Sequence, residues 1–203
     1  MQVVIVIIIL LVLAAVGAPT IAQKFFVTGS QYYVVAALEG RIKSMATTHE
    51  LLSLRHWQGI PLAELLRREL APCVNASNSR IDGPDVVLNA EAGQALAMMF
   101  HELVTNAAKF GSISVKSGRV SVHWNLMHNA HAESWLCIQW EESGGPPVVP
   151  PVRSGYGTIV VRELVPYELG GSVDLAYLPE GVRCKLRIPG HWLSASKRQE
   201  SLV

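Results

Sequence analysis

The chain has 203 residues, the length of one ordinary domain with an appendage, and half of them are hydrophobic, enough for a sizeable core. Its formal net charge of +1 excludes the clustered excess of Lys and Arg of a general nucleic-acid-binding surface, so we expect no nucleic-acid partner. The cysteines are too far apart to form a C-x-x-C pair, which predicts reduced, buried thiols and a cytosolic setting. They are Cys73, Cys137 and Cys184.

The N-terminal segment differs from the rest because residues 3–18, VVIVIIILLVLAAVGA, carry no charged or polar side chain. A helix of this length spans about 27 Å, which is just enough to cross a hydrocarbon core of about 30 Å. No basic residue precedes the segment, and the first that follows is Lys24. We therefore predict that residues 1–20 are a membrane anchor that tethers a cytoplasmic protein to the inner face of the cell membrane. A helix buried in a core or in a dimer interface is the alternative.

Apolar residues at helical spacing and at alternating positions predict the elements that follow. Residues 79–81 and 86–88 are expected to pair as short strands, residues 129–133 to form a hairpin turn, and Gly111 to end a helix at the position that often holds glycine. The predicted helices are 31–54, 61–70, 90–110 and 158–169, and the longer strands are 119–125, 135–141, 171–178 and 181–188.

The order of these elements predicts the fold class. Helices come first, and strands, a loop, a helix and a terminal hairpin follow. This order indicates an α+β sandwich with one mixed sheet and helices on one of its faces.

A polar stripe on the helix predicted over 90–110 is the first sign of chemistry. Glu102, Asn106 and Lys109 lie at positions i, i+4 and i+7, so they share one face of the helix. The amide oxygen of Asn106 suits Mg²⁺, Lys109 suits phosphate, and Glu102 could accept a proton or position a water. The alternative is an exposed polar stripe on an ordinary amphipathic helix.

Two glycine-rich segments favour a nucleotide site. In WEESGGPP, residues 140–147, Glu142 ends a strand and could accept a hydrogen bond from an exocyclic amine, while Gly144 and Gly145 allow close approach of a flat ligand. SGYGT, residues 154–158, precedes a helix, where backbone N–H groups favour phosphate. Its candidate nucleotide-binding residues are Gly155, Gly157 and Thr158. Together with the polar helix, these segments predict an ATP site.

Residues from about 37 to 190 resemble a histidine kinase of the HWE class. The class takes its name from a His in the asparagine-box helix, here His101, and a Trp-x-Glu in the first glycine box, here Trp140 and Glu142. Other segments that carry the resemblance are EGRIKSMATTHELLS (39–53), W-x-G (57–59), L-x-x-L (62–65), HELVTNAAKFG (101–111), GGPP (144–147), GYG (155–157) and ELGGSV (168–173).

The resemblance implies a Bergerat-type ATPase sandwich, preceded by the remnant of a dimerising, phosphotransfer hairpin. It implies ATP and Mg²⁺ as cofactors, with Asn106 holding Mg²⁺ and the phosphates, and Glu142 meeting the adenine amine. Gly155 and Gly157 would border the triphosphate beneath a lid over about 146–154. The implied catalytic residues are Glu102, Lys109 and His101. The predicted regions are 1–20, the helical remnant 21–55, the catalytic domain 56–193, and the polar tail 194–203.

One feature of the family is missing. Its phosphoacceptor His lies in an H-R-x-K-N-like box, which would fall near residues 1–12, and those residues contain no His, Arg, Lys or Asn. The first His is His49, which matches a position that is not the acceptor in the family. We therefore expect the catalytic region of a two-component histidine kinase, and a degenerate, membrane-tethered pseudokinase that regulates other kinases by dimerisation is the alternative. The expected partners are a response regulator or phosphotransfer protein and a second kinase chain, as a homodimer or heterodimer.

Overall fold

The computed structural model describes residues 29–74, 77–128, 133–150 and 155–194. The chain divides into two compact units, residues 1–40 and 41–203. Helix α1 (Gly29–Leu54) begins in the first unit and ends in the second. The remaining helices and all the strands of the described residues belong to the second unit. The boundaries of the four regions predicted above stay predictions.

The second unit contains helices, short strands and longer strands. Its helices are α2 (Leu62–Leu70), α3 (Ala90–Lys109) and α4 (Tyr156–Leu169). Its short strands are β1 (Ile60–Pro61), β2 (Ser79–Asp82) and β3 (Val87–Leu88). Its longer strands are β4 (Arg119–His128), β5 (Ser134–Ser143), β6 (Ser172–Leu178) and β7 (Gly181–Pro189). Short 3₁₀ turns span Ser112–Ser114 and Gly190–Trp192. The predicted hairpin turn at 129–133 lies mostly outside the described residues.

The main sheet is mixed, and its strand order is β2-β4-β5-β7-β6. β2 runs parallel to β4, and the other neighbours are antiparallel. Every second residue of the central strands is buried, so one face of the sheet forms the core with the helices. The largest inward-facing side chains are Val122, Trp124, Leu136, Ile138, Trp140, Leu186 and Ile188. The α+β fold with helices on one face of a mixed sheet is thus confirmed.

The expected pairing of residues 79–81 with 86–88 is wrong. Strand β2 pairs with β4, and β3 pairs instead with β1. The cause lies in the turn after β2, where Gly83 packs against the ring of Trp124 and the indole Nε1–H of Trp124 donates to the Pro84 carbonyl at 2.8 Å. These contacts fix the turn to β4, so β2 lies beside that strand rather than folding back on its successor.

The ends of α3 and α4 bring the polar segments together. Asn89 caps α3, since its side chain accepts from the backbone N–H of Ala92 at 2.9 Å. Helix α3 ends at Lys109, directly before Phe110 and Gly111. Helix α4 packs against the C-terminal half of the sheet and closes at Gly170 in the left-handed conformation. The cavity described below lies between these two helices and the sheet.

All three cysteines are free thiols. The expectation that they are buried holds for Cys184 and is wrong for Cys73, which is exposed in the turn after α2, while Cys137 is half-buried. In the described part of the chain, none of the helices has the length and apolar character needed to span a membrane. The predicted anchor, residues 1–20, lies outside that part.

Candidate functional site

A cavity of about 460 Å³ opens between α3, α4 and the strand ends. Its polar lining comes from three segments that are far apart in the sequence, and its walls are apolar. The predicted residues that line it are Asn106, Glu142, Gly155, Gly157 and Thr158. The fold therefore gathers five of the ten predicted site residues around one space.

Glu142 lines this cavity beside the turn that follows α3. Its carboxylate is buried and accepts two hydrogen bonds, at Oε2 from the backbone N–H of Ser112 at 2.9 Å and at Oε1 from the indole N–H of Trp140 at 3.2 Å. Burial raises the pKa of the Glu142 carboxyl above its ordinary value, and the hydrogen bonds from Ser112 and Trp140 oppose that rise. The Glu142 carboxylate is therefore a hydrogen-bond acceptor that is held in one orientation and largely shielded from water.

Gly111 lets the end of α3 approach this carboxylate. A Cβ on residue 111 would overlap Glu142 Oε2 and also press on the backbone of Ala107. The φ of Gly111 is −107°, which any residue can adopt, so the need for glycine comes from the close approach alone. Any larger residue at position 111 would displace the carboxylate or the helix end.

Asn106 lines the cavity on α3, where α4 begins. A Cβ on Gly157 would overlap Glu102 Oε2 and lie 3.8 Å from Asn106 Nδ2, so the glycine lets α4 start directly against α3. No side chain of the described residues caps the first turn of α4, which begins after Gly155. Its first N–H groups are therefore available for an anion beside Asn106.

The three residues predicted to be catalytic lie outside the cavity lining. Glu102 is buried and forms an ion pair with Arg41 of α1. His101 is partly buried, and its Nδ1 lies 3.3 Å from Glu69 Oε2 of α2. Lys109 is exposed in the last turn of α3. Of the three, only Glu102 contacts a residue that lines the cavity, Gly157.

Gly144 and Gly145 also lie outside the lining. They form the turn after β5, where Gly144 has a φ of +68° and its carbonyl accepts from Ser117 Oγ at 2.9 Å. A Cβ on Gly145 would lie 2.5 Å from the Cα of Ser112. Gly145 thus lies against the Ser112 backbone, whose N–H binds Glu142, and Gly144 lies against Ser117.

The sequence-based prediction missed the apolar walls of the cavity. They come from the end of α3, the loop after β5, α4 and the last two strands, and they are Leu103, Phe110, Pro147, Val148, Val149, Val161, Leu175, Tyr177 and Val182. The Val148 N–H donates to the Pro179 carbonyl at 3.3 Å, which ties the loop to the β6–β7 turn. The alternation of side chains along β6 is the one sequence signal that would have placed Leu175 and Tyr177 on the inner face of the sheet.

This arrangement suits a flat heterocycle that carries an anionic chain. The apolar walls would bury the ring, Glu142 would accept from an amine on it, and Asn106 with the start of α4 would receive the anion. The mixed sheet with helices on one face is a fold shared with a solved histidine kinase domain. The histidine kinase domain of the Erythrobacter litoralis EL346 blue-light activated histidine kinase has this fold, with a TM-score of 0.57 and 18% identity over 75% of this chain and 74% of that one.

Residues 12–85 match the family model of the HWE histidine kinase. A blue-light-activated histidine kinase of Rhizobium johnstonii is 33% identical over 154 residues, which are 76% of this chain and 44% of that protein. One from Brucella ovis is 28% identical over 151 residues, 73% of this chain and 31% of that protein. The chain is thus similar to HWE histidine kinases over about three quarters of its length, and it spans less than half the length of these curated relatives.

Proposed function

We propose that this chain contains the ATP-binding catalytic region of a two-component histidine kinase, which transfers the γ-phosphoryl group of Mg²⁺·ATP to a protein histidine. One observation carries the proposal: a single cavity is lined by a buried carboxylate and by an asparagine beside the start of a helix that no side chain of the described residues caps. Such a cavity matches an adenine amine and a triphosphate at the same time. The match of residues 12–85 to the HWE histidine kinase family model supports the same function.

The residues around the cavity fit the nucleotide and its metal. Asn106 would hold Mg²⁺ and the phosphates through its amide oxygen, and Gly155, Gly157 and Thr158 would border the triphosphate. The Gly157 contact supports this assignment, because it leaves no side chain between the helix start and Asn106. Glu142 would accept from the adenine amine. Bound Mg²⁺ supplies neutralisation of phosphate charge, and the chain positions the γ-phosphoryl group.

The residues next to the cavity have supporting places in this proposal. Lys109 is exposed one turn beyond Asn106, from where it would approach phosphate. Glu102 lies behind Gly157 and is paired with Arg41, and His101 links α3 to Glu69 of α2. We keep these three as candidate catalytic residues, with Glu102 foremost because it contacts the lining. Gly145 would act on the adenine site by supporting the Ser112 backbone, and Gly144 would do so through the turn that contacts Ser117.

The proposed partners follow from the proposed reaction. The phosphoryl group would pass to a response regulator or a phosphotransfer protein, and a second kinase chain would form a homodimer or a heterodimer with this one. Residues 1–20 would tether the cytoplasmic catalytic region to the inner face of the cell membrane, since residues 3–18 are continuously apolar and precede all the basic residues.

The Asn106→Ala variant tests the cavity. We expect it to lower the affinity for Mg²⁺·ATP by at least about tenfold, because it removes the metal ligand and a hydrogen-bonding partner of the phosphates. Calorimetry on the full chain measures the affinity, and circular dichroism checks the fold. Asn125→Ala is the matched control, since Asn125 is exposed on β4 away from the cavity. Equal affinity in wild type and Asn106→Ala would remove the assignment.

A regulatory module that binds ATP and modulates other kinases is the second candidate function. It is favoured by the lack of an H-R-x-K-N-like box among the residues before α1. Incubation with ATP labelled at the γ-phosphate distinguishes the two. Acid-labile label on the chain supports a kinase that phosphorylates itself, and His49→Ala then tests the one His of α1. Binding without label, even beside candidate partner proteins, supports the regulatory module.

A further inference from the structure

Trp140 is completely buried, yet its indole ring carries a polar N–H group. A buried N–H donor without a hydrogen-bond partner lowers the stability of the fold, so the partner of this indole N–H matters for the structure. That partner is Glu142 Oε1 at 3.2 Å. Trp140 and Glu142 are two residues apart on β5, so both face inward and the bond forms within one strand.

The bond completes a three-sided support for the Glu142 carboxylate. The indole N–H of Trp140 binds Oε1, the backbone N–H of Ser112 binds Oε2, and the Cα of Gly111 closes the third side. The remaining side faces the cavity. A glutamate has three side-chain torsions and loses rotamer entropy when it is fixed, so both donors are needed to hold one orientation.

We propose that Trp140 is a positioning residue whose indole N–H fixes the Glu142 carboxylate as the acceptor that selects a purine with an amino group at position 6. The inference rests on the proposed function and adds to it the source of base specificity. A carboxylate in that orientation accepts from the 6-amino group of adenine and repels the 6-oxo group of hypoxanthine. The indole and Ser112 bonds also favour the ionised carboxyl against burial.

The length of the Glu142 side chain agrees with this role. An aspartate at position 142 would be shorter by one methylene group. It could not keep both the Trp140 contact on its own strand and the Ser112 contact across to the end of α3. Trp140 and Glu142 therefore act as a unit, in which the indole sets the orientation and the longer carboxylate carries the specificity.

The test compares ADP with IDP, which differ at position 6 of the base. Trp140→Phe keeps an aromatic ring in the core and removes the N–H donor. We expect it to weaken binding of Mg²⁺·ADP to the full chain by about tenfold while binding of Mg²⁺·IDP stays within about twofold of wild type. Calorimetry with both nucleotides gives the discrimination ratio, which general damage to the cavity would not change.

Trp124→Phe is the matched control. Trp124 is also buried on the inner face of the sheet, and its indole N–H also makes one hydrogen bond, but to the Pro84 carbonyl. We expect this variant to lose stability and to keep the wild-type ratio of ADP to IDP affinity. Equal loss for both nucleotides in Trp140→Phe, or no loss for either, overturns the role of Trp140.

A second measurement, which compares the wild type with Glu142→Gln, covers the case in which Trp140→Phe does not fold. Labelling with ¹⁵N at the indole nitrogens resolves the tryptophan N–H signals by NMR. Glu142→Gln removes the charge and keeps the shape, so we expect it to shift one indole signal upfield. An unchanged set of indole signals overturns the inference. Failure of the wild type to bind either nucleotide is a different result, since it removes the proposed function and the inference with it.

Discussion

At the scale of single residues, Glu142 is the group whose protonation we expect to decide what the cavity recognises. Burial raises the pKa of its carboxyl, and the hydrogen bonds from Ser112 and Trp140 lower it, with burial the larger effect. A protonated fraction therefore persists above the ordinary value of 4.5. Only the ionised Glu142 carboxyl can accept hydrogen bonds freely at both oxygens. Binding of a ligand amine should therefore strengthen as Glu142 loses its proton.

The pH dependence of ADP affinity tests this residue. We expect affinity to rise as the pH increases above about 4.5 and to level off above the raised pKa of Glu142. The free energy of unfolding should change in the opposite sense, because the folded chain binds this proton more tightly than the unfolded chain and loses that stability as the pH rises through the same window. Calorimetry and urea unfolding across pH measure both.

The Glu142→Gln variant is the control for this titration, since it cannot lose a proton at that position. Its affinity profile should keep only the pH dependence that belongs to the nucleotide phosphates. Identical profiles in wild type and Glu142→Gln would mean that the carboxyl does not control binding.

Gly111 was correctly predicted to follow the helix, but the physical reason for glycine at this position differs from the one behind the prediction. Its place after the helix was predictable from the pattern, but its φ of −107° is not the left-handed conformation that usually makes glycine frequent there. The true requirement is contact with Glu142, thirty-one residues further along the chain. A rule about helix ends contains no information about such a long-range contact.

At the scale of elements, the second half of α1 is bound to α3 by polar contacts on neighbouring residues. Arg41 pairs with Glu102, and Ser44 Oγ donates at 2.8 Å to Glu69, which lies beside His101. The Arg41 and Glu102 side chains are only 17% and 7% exposed, so water compensates little if either loses its partner. These contacts make the second half of α1 a structural part of the second unit.

The Arg41→Gln variant tests that contact. Removing one partner of a buried ion pair leaves Glu102 as an uncompensated charge, and we expect the free energy of unfolding to fall by about 3 kcal/mol. Urea denaturation measures it. The matched control is Arg55→Gln, because Arg55 pairs with Glu64 at 2.6 Å where its side chain is 45% exposed, and it should cost less than about 1 kcal/mol. Equal losses in the two variants would contradict the buried pairing.

At the scale of the whole molecule, patterns within single segments were predictable and pairings of short segments were not. Alternation predicted β4, β5, β6 and β7, because long strands with one buried face carry a strong signal. The two-residue strands β1 and β3 carry no such signal, and the Trp124 contact with Pro84 decided where β2 lies. The polar residues of the site were predictable by type, while its apolar walls depend on how α4 and β6 meet the loop after β5.

Cys184 provides a probe of the intact core. It lies on β7 between β5 and β6 and is fully buried, and burial raises the pKa of its thiol to about 12, with Asp174 adding to the rise. At pH 8 only about one such thiol in ten thousand is ionised. We expect iodoacetamide to modify Cys184 only when the sheet opens, as followed by mass spectrometry. Exposed Cys73 is the internal control, and similar rates for both in the native chain would contradict this burial.

The mixed topology of the sheet also sets the order of assembly. Strands β4 and β5, and strands β6 and β7, are neighbours along the chain, so their pairing closes short loops. The β2–β4 and β5–β7 pairings close much longer loops and carry a larger entropic cost. Asn106, Glu142 and Gly157 meet only when α3, β5 and α4 have all docked. We therefore expect the cavity to form late, by long-range association, and a bound ligand to stabilise the product of that last step.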